Sequence, residues 1–193
     1  MNPGLEKLHD YPFERLRNLK SQIPMGNQTS IIDLSIGEPK TKLPKVIQNA
    51  LVSSSDQISF YPSTKGTNAL RESIASWLCR RYTIPEEKLS PAENILPVNG
   101  TREALFGISQ ALADPMNRKY IAIPNPFYQI YEGAALLAGA KPFFMPCPKS
   151  RNFLPHFESI TPEVWKETSI VYICSPNNPS GSILDSSDYD YLT

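Results

Sequence analysis

Asn99-Gly100-Thr101-Arg102 is the stretch of this chain best suited to holding an anion. It follows Ile95-Leu96-Pro97-Val98, a short apolar run with a strand's composition. It leads into a segment where Ala104, Leu105, Ile108 and Leu112 recur at helical spacing. Gly100 permits a backbone turn that a Cβ would resist. A strand that turns tightly into a helix aims the helix's first free N–H groups into the crevice at the strand's carboxyl end. The positive end of the helix dipole points the same way, and the combination suits a phosphate. The N–H groups of Gly100, Thr101 and Arg102, the Thr101 hydroxyl and the Arg102 guanidinium are the candidate ligands. A turn of this kind is more often a plain connection, so by itself it names no ligand.

Two further loops carry residue types that could join such a site. Pro124-Asn125-Pro126-Phe127-Tyr128 offers an aromatic face, and Ser175-Pro176-Asn177-Asn178-Pro179-Ser180-Gly181 offers amides and hydroxyls. The elements around them explain how the three could meet. Strands are predicted at 31–36, 95–98, 119–123, 141–146 and 169–174 from short apolar runs. Helices are predicted within 1–20, over 44–53, after Thr67 with Leu70, Ile74, Trp77 and Leu78 as the apolar stripe, over 127–138 with Gly139 ending it, and over 157–167. Strands alternating with helices of this length imply an α/β fold with a parallel sheet, right-handed crossovers and ligands at the strand carboxyl ends. All three loops fall at such ends.

The bulk properties exclude several classes. Nineteen acidic and nineteen basic side chains cancel among 193 residues, which gives no support for nucleic acid or an anionic membrane as a partner. The longest apolar stretches, such as 134–138, are far shorter than the ~20 residues a bilayer span needs. The charged N-terminus is no secretory signal. Cys79, Cys147 and Cys174 are odd in number and widely spaced, which points to reduced thiols in a cytoplasmic protein and not to disulfides or a metal site. His9 and His156 match no catalytic pattern and read as surface or packing residues.

With its loops in order, the chain resembles the pyridoxal-phosphate aminotransferases of fold type I, the aspartate-aminotransferase-like class I/II group. Leu34-Ser35-Ile36-Gly37-Glu38-Pro39 resembles that family's early glycine turn. Tyr61, Gly66, Leu70 and Arg71 match its tyrosine-loop-helix segment. Asn99–Leu105 is similar to its phosphate turn, and Pro124–Tyr131 to its ring-stacking loop. Ser175–Gly181 is close to its Ser-Pro-Asn-Asn-Pro-Thr-Gly signature, with Ser180 in place of Thr. Met1-Asn2-Pro3 and Tyr11-Pro12-Phe13-Glu14-Arg15-Leu16-Arg17 are similar to the start of bacterial succinyldiaminopimelate transaminases, enzymes of lysine and peptidoglycan-precursor biosynthesis.

The resemblance implies roles. Gly100, Thr101 and Arg102 bind the phosphate of pyridoxal 5'-phosphate. Tyr128 stacks on its ring, where the alternative is a packed core tyrosine. Tyr131, one turn on, packs. Asn178 donates to the ring hydroxyl and to a substrate carboxylate, where the alternative is a turn-forming Asn. Gly37 offers its N–H to the substrate carboxylate or is a plain turn glycine. Tyr61 reaches the phosphate in a partner subunit's site, which implies a homodimer, or is an ordinary loop tyrosine. Cis peptides are implied at Asn125-Pro126 and Asn178-Pro179. The substrates implied are an amino acid and a 2-oxo acid, with glutamate and 2-oxoglutarate as one pair.

In the family a lysine that bonds to the cofactor aldehyde, an Asp on the ring nitrogen and a substrate-clamping Arg all lie beyond the asparagine signature. Asp188 and Tyr191 mimic the spacing of the aspartate segment but follow Gly181 too closely, and Ser186-Ser187-Asp188 reads as a helix start. No lysine here matches the bonding lysine; Lys65, in the Tyr61 loop, has no reason to face the site. The chain is therefore expected to be an N-terminal fragment, inactive alone, with 1–44 belonging to a small domain and 45–193 to the first part of a large domain. Alternatives from the same residues are an aspartate- or aromatic-type aminotransferase, or a non-enzymatic binding module on the same fold. A Rossmann-type nucleotide binder is weaker, because Gly100 has no Gly-x-Gly-x-x-Gly around it.

Overall fold

The computed structural model describes residues 1–23, 32, 34–37 and 40–192. In chain order its helices and strands are α1 (Pro12–Ser21), α2 (Lys45–Ser53), α3 (Asn68–Tyr82), α4 (Pro91–Asn94), α5 (Thr101–Leu112), β1 (Tyr120–Asn125), α6 (Ile130–Leu137), β2 (Lys141–Pro146), α7 (Pro162–Lys166), β3 (Thr168–Val171) and α8 (Ser186–Leu192). They pack as two compact units, Met1–Arg17 with Val98–Thr193, and Asn18–Pro97. The two units meet in the chain after Arg17 and after Pro97.

The first unit is built on a three-stranded parallel sheet in the order β2-β1-β3. Register runs from Tyr120 opposite Lys141 to Asn125 opposite Pro146, and pairs Ile121 with Ile170. Side chains along β1 alternate between the two faces of the sheet. Ile121 and Ile123 enter one cluster with Tyr131, Ala135, Ala140 and Tyr172, against which Leu105 of α5 also packs. Ala122 enters the other with Met145, Phe157, Ile160 and Leu184, beside Val164 and Trp165 of α7 and Leu192 of α8. Helices thus cover both faces, the arrangement a parallel sheet requires. Fully buried side chains such as Ile121, Ile123, Met145 and Phe157 each stabilise the fold by roughly 1.5–3 kcal/mol.

The N-terminal arm belongs to this unit and runs antiparallel along α6. Asn2 Nδ2 donates to the Leu137 carbonyl at 2.9 Å, and Leu8 lies beside Gly133. His9 Nε2 is 3.8 Å from Glu132 Oε1, and Gln129 Nε2 donates to the Tyr11 hydroxyl at 3.4 Å. Gly4 is where the arm comes closest: a Cβ there would stand 2.4 Å from the Leu136 carbonyl oxygen.

The second unit is helical. Thr67 caps α3, its Oγ1 accepting from the Leu70 N–H at 3.2 Å. Gly66 turns at a φ of 71°, and a Cβ there would meet Pro97 at 2.8 Å. Ala75 alone is buried among the described residues of this unit. The stripe predicted for α3 is rotated: Ile74, Ala75, Leu78 and Cys79 form the sheltered side, while Leu70 and Trp77 are 46% and 51% exposed.

Other expectations need correction. Residues 95–98 form no strand, since Pro97 has no N–H to donate and no strand among the described residues pairs with them. Of the strand predicted over 31–36, residues 32 and 34–36 are not in a ladder, and Ile31 and Asp33 lie outside the described residues. The helix predicted over 157–167 is a 3-10 turn at Phe157–Ser159 followed by α7, which restarts after Thr161 caps it with Pro162 in its first turn. The helix predicted from Phe127 begins at Ile130, because 126–129 form the loop leaving β1. The helix start predicted at Ser186 is present as α8. No helix among the described residues is long and apolar enough to cross a membrane.

Candidate functional site

β1 and β3 lie side by side and parallel, yet the chain leaving β1 returns as α6 over one face and the chain leaving β3 returns as α8 over the other. Loops that part in this way open a crevice at the strand carboxyl ends. α5 brings its N-terminus to the same end. Arg102, its second residue, donates from Nε to the Tyr128 hydroxyl at 2.9 Å, and its guanidinium carbon lies 6.0 Å from the centre of the Tyr128 ring.

Gly100 is the cap residue of α5, with φ 156° and ψ 153° and no side-chain cap bond. A Cβ on Gly100 would stand 2.7 Å from Glu103 Oε2, so the Glu103 carboxylate folds back over the first turn. Thr101, Arg102 and Glu103 are exposed. The Tyr128 hydroxyl, by hydrogen bond and then by charge, raises the Arg102 pKa further above its usual value, with Tyr11 and Glu103 adding to it by charge. The first turn of a twelve-residue helix therefore presents free N–H donors, a hydroxyl and a fixed cation together.

The ring side of the site is an aromatic ladder. Tyr128 meets Tyr131 edge to face at 5.8 Å, and Tyr131 stacks on Tyr172 at 4.2 Å. The Tyr172 hydroxyl donates to the Leu105 carbonyl at 2.5 Å and accepts from Ser109 Oγ, tying the ladder to α5. Tyr131 is buried, and burial first, then the neighbouring Cys174 thiol, push its pKa up to about 12. Cys174 stands just after β3, so Tyr131 links the loop after β1 to the loop after β3.

That second loop is held by Asn177, not Asn178. Asn177 is buried; its N–H donates to the Ser182 carbonyl at 2.8 Å, its own carbonyl accepts from Gly181 at 2.7 Å, and its Nδ2 donates to Ser180 Oγ at 2.8 Å. Asn178 is left exposed. Asn125-Pro126 and Asn178-Pro179 are both cis, as the resemblance implies, and Ser175-Pro176 is cis as well, which was not expected.

The structure thus brings Gly100, Thr101, Arg102 and Tyr128 together and sets the turn of Asn178 at the same end of the sheet. Gly37 and Tyr61 belong to the other unit, where Gly37 is exposed and Tyr61 is 97% exposed. Asp188 is not at the site: it is the buried residue of α8, paired with Arg151 at 3.4 Å and accepting from the Asp185 N–H at 3.1 Å. No cluster of His, Cys, Asp and Glu among the described residues could hold a metal ion. Sequence reasoning missed Tyr172 and Ser182. Neither sits in a motif at ligand spacing, and each acts through a partner distant in sequence.

The donor set fits pyridoxal phosphate. The exposed first turn of α5 with Arg102 beside it suits a dianionic phosphate, and Tyr128, braced at its edge by Tyr131, suits a flat ring. Similarity to known proteins agrees. A family model described as aminotransferase class I and II matches residues 29–193. An LL-diaminopimelate aminotransferase of Dehalococcoides mccartyi strain 195 is 31% identical over 186 residues, covering 95% of this chain and 46% of that protein. Among solved structures, an aminotransferase from Neisseria meningitidis Z2491 is 44% identical with a TM-score of 0.91, over 100% of this chain and 48% of that one. The aminotransferase AspB of Helicobacter pylori 26695 is 36% identical with a TM-score of 0.84, over 96% and 47%. The chain spans about half the length of the curated relatives it matches. It belongs to the class I and II aminotransferases, a pyridoxal-phosphate-dependent family.

Proposed function

We propose that the protein carrying this chain transfers an amino group between an amino acid and a 2-oxo acid, with pyridoxal phosphate seated on Gly100, Thr101, Arg102, Tyr128 and Asn178. The observation that carries this reading is the 2.9 Å bond from Arg102 to Tyr128, which joins the cation in the first turn of α5 to an aromatic side chain and supports a phosphate seat beside a ring seat. When bound, the cofactor supplies the electron sink that lets an amino acid's α-proton leave. The protein's own residues do the holding. The α5 N-terminus and Arg102 fix the phosphate, Tyr128 limits tilt of the ring, and the Asn178 amide orients the ring hydroxyl and a substrate carboxylate. The Gly37 N–H is assigned to that carboxylate, and Tyr61 to the phosphate of a second subunit, which makes the working form a homodimer. Residues 1–44 are assigned to a small domain and 45–193 to a large one.

The relatives named LL-diaminopimelate aminotransferase support a substrate in diaminopimelate and lysine biosynthesis. The likeness of 1–3 and 11–17 to succinyldiaminopimelate transaminases favours the succinylated form, with glutamate and 2-oxoglutarate as the amino donor pair. Free Cys79, Cys147 and Cys174 suit a reducing compartment such as the cytoplasm. Lys119 and Lys141 stand at the amino ends of β1 and β2, and Lys166 precedes β3, away from the carboxyl ends where the site lies. No lysine here matches the family's bonding lysine, and residues 1–193 alone are assigned binding without turnover.

The test is to purify the intact protein, supply pyridoxal phosphate, and follow 2-oxoglutarate-dependent amino transfer from succinyl-diaminopimelate and from LL-diaminopimelate. Transfer from the succinylated substrate supports the finer reading, and transfer from LL-diaminopimelate alone replaces it. No amino transfer from any amino acid overturns the activity, and turnover by residues 1–193 alone overturns the assignment of binding without turnover.

A further inference from the structure

A one-way chain of hydrogen bonds runs beneath the turn that carries Asn178. Ser182 Oγ donates to the Asn152 carbonyl at 2.6 Å. A carbonyl can only accept, so the single Ser182 proton is committed there. Ser180 Oγ, 2.8 Å away, must then donate to Ser182. With its own proton spent, Ser180 accepts from Asn177 Nδ2 at 2.8 Å. Every proton in the chain is fixed by its end, and so is the orientation of the Asn177 amide. Ser182 also closes the turn through its carbonyl, which accepts the Asn177 N–H at 2.8 Å. The far end is itself anchored: Asn152 caps a short 3-10 turn in the left-handed region at φ 52°, and Arg151 beside it pairs with Glu158 at 3.1 Å and with buried Asp188.

We propose that Ser182 is a positioning residue for the cofactor ring: through Ser180 and Asn177 it holds the turn that presents Asn178. This deepens the proposed function and rests on it. Asn178 is exposed and is not itself a link in this chain. It lies in the chain between Asn177 and Ser180, whose side chains hydrogen-bond to each other across the turn. Removing the Ser182 hydroxyl breaks the chain at its anchored end. It leaves the Asn152 carbonyl and the Ser180 hydroxyl to find other partners, and frees the turn to shift.

A double-mutant cycle on cofactor affinity in the purified intact protein separates positioning from general structure. Pyridoxal phosphate binding is titrated by absorbance in wild type, Ser182→Ala, Asn178→Ala and the double variant. The expected result is about a tenfold weaker binding for Ser182→Ala, the scale of one net hydrogen bond or a little more. Ser182→Thr, which keeps the hydroxyl, binds within about twofold of wild type. In the Asn178→Ala background the Ser182→Ala change has no further effect, because the group it positions is gone. Additive losses, or a Ser182→Thr as weak as Ser182→Ala, overturn the inference. If Ser182→Ala does not fold, Ser180→Ala breaks the same chain one link higher and the cycle is run on it with the same criteria. A wild type that does not bind pyridoxal phosphate overturns the proposed function itself, a result distinct from a wild type that binds but gives an additive cycle.

Discussion

Phe157 and Phe60 are the same side chain in two different circumstances. Phe157, in the unit that carries the sheet, is 1% exposed and packs with Ala122, Met145, Ile160 and Leu184. Phe60, in the unit spanning Asn18–Pro97, is 75% exposed, in company with Val52 at 75%, Leu51 at 59% and Ile58 at 80%. One unit has a core of its own, with two buried clusters on either side of β1. The other buries a single alanine among its described residues and leaves most of its large apolar side chains exposed. The lesson concerns the site as much as stability. The Gly100–Arg102 turn, Tyr128 and the Asn178 turn, the residues assigned to the cofactor, all stand on the unit that has its own core. The residues assigned by resemblance to a substrate carboxylate and a partner subunit, Gly37 and Tyr61, stand on the one that does not.

The largest expression of this contrast is expected in hydrogen exchange. Core amides open with free energies approaching the global stability, while poorly packed segments open at close to zero. Amides of Ile121, Ala122 and Ile123 should exchange at least roughly a thousandfold more slowly than those of α2, which has no buried residue. Comparable protection in both would show that the second unit is far better packed than its exposure implies.

Next in size is the phenylalanine pair itself. Phe157→Ala should cost about 3–5 kcal/mol of unfolding free energy, from lost burial and the cavity left behind. Phe60→Ala should change it by less than about 0.5 kcal/mol. Denaturant unfolding of both variants checks this, and equal losses would erase the distinction between the units.

How far these differences were legible in the sequence depends on the range of the interaction. Tyr120–Asn125 and Lys141–Pro146 announce themselves as strands because a short apolar run is a local signal, and the Thr67 cap is legible for the same reason. The Gly100 turn and the two proline loops are legible as turns because their signals lie within a few consecutive residues. The N-terminal arm along α6 is not, because Gly4 and Leu136 are a whole fold apart and nothing in either stretch names the other. The strand expected at 95–98 fails because a strand needs a neighbour as well as a composition. The rotated face of α3 fails for a similar reason. Apolar spacing gives the stripe, but packing chooses which side of it is covered.

Smaller effects sharpen the account of the aromatic ladder. Tyr131 in the folded chain has its pKa pushed up to about 12, chiefly by burial, from an ordinary value of 10.0. Below pH 10 both folded and unfolded chains keep the proton, and the full stability is present. Between pH 10 and about 12 the unfolded chain ionises first, so stability falls as pH rises. Tyr131→Phe should flatten that part of the alkaline decline, measured as the denaturant midpoint across this range. An unchanged slope would mean that Tyr131 is not held away from water.

The smallest effect expected is at Glu103, whose carboxylate folds back over the turn meant for an anion. Glu103→Gln removes a negative charge from the helix N-terminus and should tighten phosphate binding by roughly two- to fivefold at low salt. Weaker binding would show that the carboxylate supports the turn more than it competes with the ligand.

The central claim, that the first turn of α5 and Tyr128 form one seat, is tested most directly by titrating the purified intact protein with pyridoxal phosphate. Arg102→Ala and Tyr128→Ala would be titrated beside it, with inorganic phosphate as competitor. Saturable binding is expected in the wild type, displaced by phosphate, and weakened roughly 10- to 100-fold by Arg102→Ala, the range of a charge-assisted hydrogen bond. Tyr128→Ala should weaken cofactor binding while leaving the affinity for inorganic phosphate within about threefold, because the ring seat and the phosphate seat are separate groups. Cofactor binding untouched by either substitution, or not displaced by phosphate, would contradict the account.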